Sequence, residues 1–319
     1  MCTAIHLNKY FGRNLDLEIS YGEQVIITPR NFPFAFRQVP PLNSHHAIAG
    51  IGIVVDNYPL YFDAMNDSGL AMAGLNFPDN AHYMPLCQGA DNIAPFELIP
   101  YILGKCSTVS DAKKLLTRIN LAELHFSRDF PLSPLHWMIA DKESSFVIEP
   151  VKNALKIYEN PVGVLTNNPT FDYHLTNLSN YMNVTHKEPE NRFCDKLSLV
   201  PYSRGMGGIG IPGDLSSASR FVRAAFTLLN SNDDSLSQFF HILTSVEQQK
   251  GCVSVGDKFE YTLYSSCCDL NKGIYYYTTY ENRRITAVNF GNTDLNGTTL
   301  TTYPLIMKED IFYQEAVAK

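Results

Sequence analysis

The chain is 319 residues long and 45% hydrophobic, with 25 Lys and Arg against 32 Asp and Glu for a net charge of -7. That acidic balance, with no basic cluster to override it, excludes nucleic acid as a main partner. The longest apolar run, near Ala47 to Val55, is about half the length a spanning helix needs, which excludes membrane insertion. Length admits one large domain or two smaller ones, but no linker, internal repeat or low-complexity run divides the chain, so a single domain over 1–319 is expected.

Met1 is followed by Cys2. Removal of Met1, which we expect, puts a thiol and a free α-amine on one residue, and an N-terminal cysteine can use its own amine as the base that takes the nucleophile's proton. Their ordinary pKa values, about 8.5 and about 7.7 to 8.0, leave both groups near a working state at neutral pH. A strand is predicted over 3–7. The run Phe11-Gly12-Arg13-Asn14-Leu15-Asp16 then brings a guanidinium that favours thiolate and a carboxylate able to orient the amine. Residues three apart on a regular strand face opposite sides, so one site holds Arg13 and Asp16 together only if the backbone bends, and Gly12 permits a bend. Arg13, Asp16 and Glu18 also stand where a signal peptide would be apolar, so the protein is expected in the cytoplasm.

Further strands are predicted over 24–28, 46–55, 58–62 and 69–75. Two helices follow, one over 94–106 with Pro95 in its first turn and one over 110–119 capped by Ser110, with Asp111 at its positive end. Strands are predicted again over 135–141, 145–151 and 154–158. The glycine-rich stretch Gly205 to Gly210 lacks the Lys and Ser or Thr of a phosphate-binding loop and reads as a flexible loop. Helices over 217–229 and 236–248 precede strands over 260–268, 273–280 and 284–290, an order that suits stacked layers. The seven cysteines include no C-x-x-C pair and no zinc spacing. Reduced thiols and no metal or cofactor are therefore expected, with Cys267 and Cys268 packing inside a strand. The Asn-x-Ser or Thr matches at Asn66, Asn177, Asn183 and Asn296 are then chance hits.

The sequence resembles the choloylglycine hydrolase family, cysteine N-terminal-nucleophile hydrolases that include bile salt hydrolases and penicillin V acylases. The resemblance runs through Met1-Cys2-Thr3, FGRNLD at 11–16, AGLNFP at 73–78, LHWMIAD at 135–141, VLTNNPTFDYH at 164–174 and GIPGDLSSASRFVRAAF at 210–226. It implies an α+β fold, a four-layer αββα sandwich with two antiparallel sheets between helical layers. It also implies a homotetramer held in part by an extended loop over about 179–210.

Carried over residue by residue, the resemblance makes Cys2 the nucleophile, sets Arg13 and Asp16 beside its thiol and amine, and adds Asn76, Asn167 and Arg220 around the scissile amide. Asn donors suit the oxyanion of a tetrahedral intermediate, since they add no charge. Read without the resemblance, Asn167 is a turn residue before Pro169 and Arg220 is a helix-surface ion pair. The Pro-rich loop over 125–135 carries large apolar groups. Phe126, Phe130 and Leu135, with Leu15, are either walls for a steroid body or ordinary core. Members of the family that favour bile salts tend to have Asn where Asn76 stands, whereas penicillin V acylases tend to have Tyr. The expected substrate is therefore a glycine- or taurine-conjugated bile salt. Penicillin V or another N-acyl amide is the alternative, and a binding protein for amphipathic anions is the alternative without catalysis.

Overall fold

Residues 1–152 and 154–317 are described by a computed structural model. Apolar strands build the first part of the chain as an antiparallel hairpin in one sheet followed by four successive antiparallel strands in the other. Strands β1 (Cys2–Leu7) and β2 (Tyr10–Leu17) are joined through Asn8, which sits in the left-handed region at φ 53°. Strands β3 (Gln24–Thr28), β4 (Ile48–Val55), β5 (Tyr58–Asn66) and β6 (Ala71–Asn76) follow. The β4–β5 turn is the pair Asp56-Asn57, at φ 50° and 60°, the residue types that tolerate two successive left-handed positions.

Beyond a short strand β7 (Asp91–Ile93) come helices α1 (Leu98–Lys105) and α2 (Val109–Leu116), then β8 (Ile119–Leu121), β9 (Leu135–Ala140), β10 (Ser145–Val151), β11 (Ala154–Glu159) and β12 (Val164–Leu165). The last part holds α3 (Phe171–Asn177), α4 (Ser217–Leu229), α5 (Leu236–Thr244), β13 (Val253–Val255), β14 (Lys258–Asp269), β15 (Ile274–Thr279), β16 (Thr286–Asn289) and β17 (Thr301–Pro304).

Among the described residues two large antiparallel sheets form. One runs β12-β1-β2-β14-β15-β16 with β13 added on β14, and the other runs β11-β10-β9-β6-β5-β4-β3-β17. Their inner faces meet through Ala4, Phe11 and Leu15 on one side and Ala71, Ala73, Leu75 and Met138 on the other. The outer face of the second sheet, with Met72, Trp137 and Ile139, is covered by Leu98, Ile102 and Leu103 of α1 and Leu116 of α2. Phe221 and Leu228 of α4 and Phe239 and Ile242 of α5 close the first sheet. The result is the expected αββα sandwich. No helix among the described residues is long and apolar enough to cross a membrane, and each of the seven cysteines is unpaired.

Several elements differ from expectation for identifiable reasons. The FGRNLD run is itself a regular strand, β2, buried along nearly its whole length because it lies between β1 and β14 with a layer on either face. Helix α2 is capped by Thr108 rather than Ser110, the Thr108 hydroxyl accepting the Asp111 N–H at 3.1 Å. Helix α5 stops at Thr244 because Gln248 turns to pair with Thr262, donating its N–H to Thr262 Oγ1 at 2.8 Å and accepting the Thr262 N–H at 3.1 Å. The glycine-rich stretch is pinned, with Thr185 donating to Gly207 O at 2.9 Å. Strands β7, β8, β12, β13 and β17 and helix α3 are too short to leave a periodic signal.

Candidate active site

Antiparallel pairing fixes which side chains share a face. In the β1–β2 ladder Cys2 lies opposite Leu15, Thr3 opposite Asn14 and Ala4 opposite Arg13. Directly opposed residues point the same way, so Cys2, Leu15 and Arg13 face the second sheet, while Thr3, Asn14 and Asp16 face the helices. Arg13 and Asp16 therefore stand on opposite sides of an unbent strand, and the site spans both faces. The bend that Gly12 would permit is absent, the strand running unbroken over Tyr10–Leu17. Gly12 has a different cause: a Cβ there would lie 2.0 Å from Ser266 O of β14.

On the helix face, fully buried Arg220 in the first turn of α4 organises the start of the chain. Its Nη1 donates to Cys2 O and Thr3 Oγ1, both at 2.5 Å, and its Nη2 donates to Asn167 Oδ1 at 2.8 Å. Asn167 Oδ1 also accepts the Cys2 N–H at 2.7 Å, and Asn167 Nδ2 donates to Asn76 O at 2.7 Å. Two donors converging on one atom identify it as the amide oxygen. Asp16 accepts from Thr262 Oγ1 at 2.7 Å and lies 3.9 Å from Arg220 Nη1. Burial pushes its carboxyl pKa up, against the pull of Arg220 and the chain's ammonium. Thr262 reaches Asp16 because β14 carries an extra residue at Leu263, so that Thr262 and Tyr264 face opposite sides.

Met1 extends the ladder by one rung. Asp16 N–H donates to Met1 O at 2.9 Å, and the Met1 ammonium lies 2.7 Å from Asp16 O and 2.6 Å from Glu260 Oε2. With Met1 attached, the Cys2 nitrogen is a peptide nitrogen.

On the inner face, the buried Arg13 guanidinium crosses to the second sheet, donating from Nη1 to Gly74 O at 2.5 Å and to Phe62 O at 3.3 Å. Its Nη2 has no protein partner. Burial works against its charge, but Cys2, then Tyr264 and Asp63, outweigh burial and hold its pKa above the ordinary value. Asp63, fully buried on β5, is the counter-charge. It accepts from Tyr264 Oη at 2.6 Å, from Ser266 Oγ at 2.9 Å and from Tyr275 Oη.

The structure thus brings Cys2, Arg13, Asp16, Asn167 and Arg220 together. Arg220 is no surface ion pair. Asn76 enters through its backbone carbonyl, and strand alternation sets its side chain on the side of Met72, opposite Cys2. Leu15 lies in the inter-sheet core beside Cys2, whereas Leu135 packs against the cluster under α1 and α2. Phe126 and Phe130, both half-buried, meet edge to face at 5.9 Å, and Phe126 also contacts Phe96, Tyr58 and Arg37. Sequence reasoning missed Thr3, Asp63, Thr262 and Glu260. A lone Asp, Thr or Glu on a strand gives no signal until the opposing strand is known.

The chain is similar to known proteins in sequence and in fold. A family profile described as linear amide C–N hydrolases, choloylglycine hydrolase family, matches residues 2–303. The chain is 57% identical over 314 residues to the bile salt hydrolase/transferase of Lactiplantibacillus plantarum, covering 96% of this chain and 97% of that one. A crystal structure of a variant conjugated bile acid hydrolase from Clostridium perfringens superposes with TM-score 0.93 at 37% identity, covering 99% of this chain and 100% of that one. Penicillin V acylase from Agrobacterium tumefaciens shares the fold, with TM-score 0.74 at 17% identity over 95% of this chain and 91% of that one. The chain belongs to the choloylglycine hydrolase family of linear amide C–N hydrolases.

Proposed function

We propose that the chain hydrolyses the amide joining glycine or taurine to a bile acid, with Cys2 as nucleophile once Met1 is removed. The observation that carries the reading is the convergence of Asn167 and Arg220 on the Cys2 backbone, with Arg13 on the thiol's own side. A freed Cys2 amine keeps one hydrogen on Asn167 Oδ1, and its lone pair is then available to take the thiol proton. The resulting thiolate, on the same face as Arg13, attacks the amide carbonyl, and the remaining Nδ2 hydrogen of Asn167 donates to the oxyanion. The amine returns its proton to the departing glycine or taurine nitrogen. Water, deprotonated by the same amine, then cleaves the thioester and releases the bile acid. Asp16 and Arg220 hold the amine end, and no step calls for a metal or cofactor.

Bile salts are favoured over penicillin V by the named activities of the Lactiplantibacillus and Clostridium relatives and by Asn at position 76. The half-buried Phe126 and Phe130 supply an aromatic wall for a steroid body. We further propose that the chain acts as one catalytic unit, that it resides in the cytoplasm, and that it assembles as a homotetramer. Exposed Met182, Phe193, Val200 and Tyr202 support the last point, since apolar side chains gathered on one segment call for a cover.

The test is hydrolysis of glycocholate, taurocholate and penicillin V by purified enzyme, together with mass spectrometry of the amino terminus. Higher kcat/KM for both bile salts and loss of Met1 are expected. Faster cleavage of penicillin V would overturn the substrate. A retained Met1 with no turnover would favour a binding protein for amphipathic anions.

A further inference from the structure

Two histidines take no part in the scheme above, although both lie in motifs that carry the resemblance. His136 and His174 are fully buried, and each faces a carbonyl of the turn that presents Asn167. His136 Nε2 lies 2.9 Å from Thr166 O, and His174 Nε2 lies 2.9 Å from Asn167 O. A carbonyl only accepts, so each Nε2 carries a hydrogen and donates it. Burial pushes the His174 pKa down to about 4, which keeps that ring a neutral donor at neutral pH. His136 Nδ1 faces Glu149 Oε1 at 3.2 Å, and the same oxygen accepts the Phe171 N–H at 3.0 Å where α3 begins.

Both rings are clamped from the side. His136 stacks on Phe77, centroids 4.2 Å apart and planes at 6°, and His174 stacks on Phe221 at 4.7 Å and 17°. Phe77 directly follows Asn76, and Phe221 directly follows Arg220. Each imidazole therefore ties the Asn167 turn to a different segment of the site. Ser217 Oγ adds a third hold, accepting the Asn167 N–H at 2.8 Å and donating to Thr166 Oγ1 at 3.0 Å.

We propose that His136 and His174 are positioning residues that fix Asn167 by donating to two consecutive backbone carbonyls. The inference rests on the role given to Asn167 in the reaction proposed above. An amide donor on a turn is only as well placed as its backbone, and a displacement of about 1 Å from productive geometry costs about 100-fold in rate. The donated Nε2 hydrogens are committed to carbonyls, so neither ring serves as a proton shuttle.

His174→Phe keeps a ring against Phe221 and loses the donor, whereas His174→Gln keeps a donor near the Nε2 position and loses the ring. Positioning predicts that kcat falls about 10- to 100-fold in the Phe variant with KM little changed, and that Gln recovers most of the loss. Ser217→Ala, a one-atom truncation, should lower kcat several-fold in a fully folded protein. A packing role reverses the order, leaving Phe active and Gln impaired, and that result overturns the proposal. Should His174→Phe fail to fold, His136→Phe, which keeps a ring against Phe77 and loses the donor to Thr166 O, is read in the same way, and full kcat there overturns the proposal. Asn167→Ala is measured in parallel. Full kcat there removes the role of Asn167 itself, whereas loss there with full kcat in His174→Phe removes only the positioning claim.

Discussion

In the proposed reaction Cys2 supplies two chemistries, one from its side chain and one from its backbone nitrogen, and its replacement separates them from packing. Cys2→Ala should abolish amide hydrolysis with little change in Tm, because a small thiol contributes little to the core beside its chemical role. Cys2→Ser should also lose nearly all turnover, since a hydroxyl is scarcely ionised near neutral pH. Hydrolysis assays and thermal melts on the purified variants check both outcomes. Cys2, Arg13 and Asp16 stand out as candidates in the sequence because the proposed catalysis by an N-terminal thiol would call for those residue types close by. Asp63 and Glu260 were not, since each acquires its role from a distant strand: Asp63 from Tyr264 and Tyr275, Glu260 from the start of the chain.

At the scale of the element, the β2 strand is where sequence and structure diverge most usefully. In its motif Gly12 reads as a residue that permits a bend, yet Gly12 is there because β14 passes too close for a side chain. Gly12→Ala should cost about 3 kcal/mol, as overpacking against backbone oxygen leaves nothing soft to yield, and chemical denaturation measures it. The strands over 24–28 and 145–151 and the helix over 217–229 were read from sequence with the bounds the structure has, because full apolar patterns and clear caps mark them. The loop before β9 carries no such pattern, and its proposed role as a substrate wall is argued from the aromatic contacts of Phe126 and Phe130. Phe130→Ala should weaken kcat/KM for glycocholate and taurocholate by about 1 to 3 kcal/mol and for penicillin V by less. Equal losses for all three substrates would assign the ring to the scaffold.

The whole molecule responds to pH through groups sealed between its layers. In the unfolded chain His174 titrates near 6.5, and in the fold near 4. Above 6.5 neither state binds the proton and the full stability is present. As pH falls from 6.5 toward 4, the unfolded chain takes up a proton that the fold refuses, and up to about 3 kcal/mol is lost over that window. Its neighbours His136 and Arg220 act in the same direction by repelling the charge. Denaturation midpoints between pH 7 and 4 should show the decline, and it should flatten in His174→Gln. The four-layer arrangement became predictable through resemblance alone, since the periodicity of individual strands does not say which sheet each one joins.

Met1 forms one extra rung of the β1–β2 ladder, held by Asp16 and Glu260. Cys2 beneath it is 2% exposed, with β2 and the Asn167 side chain on its flanks, the second sheet above and α4 below. If the sulfur is reached end-on along the strand axis, the first residue stands in that doorway. A single cleavage would then act as lock and key together, creating the base and opening the path to the sulfur. A chain that retains Met1 should accordingly resist alkylation of Cys2 by a small thiol reagent, while the trimmed enzyme reacts at once. Peptide mass mapping of both forms reads the difference, and equal labelling would show that the doorway was already open.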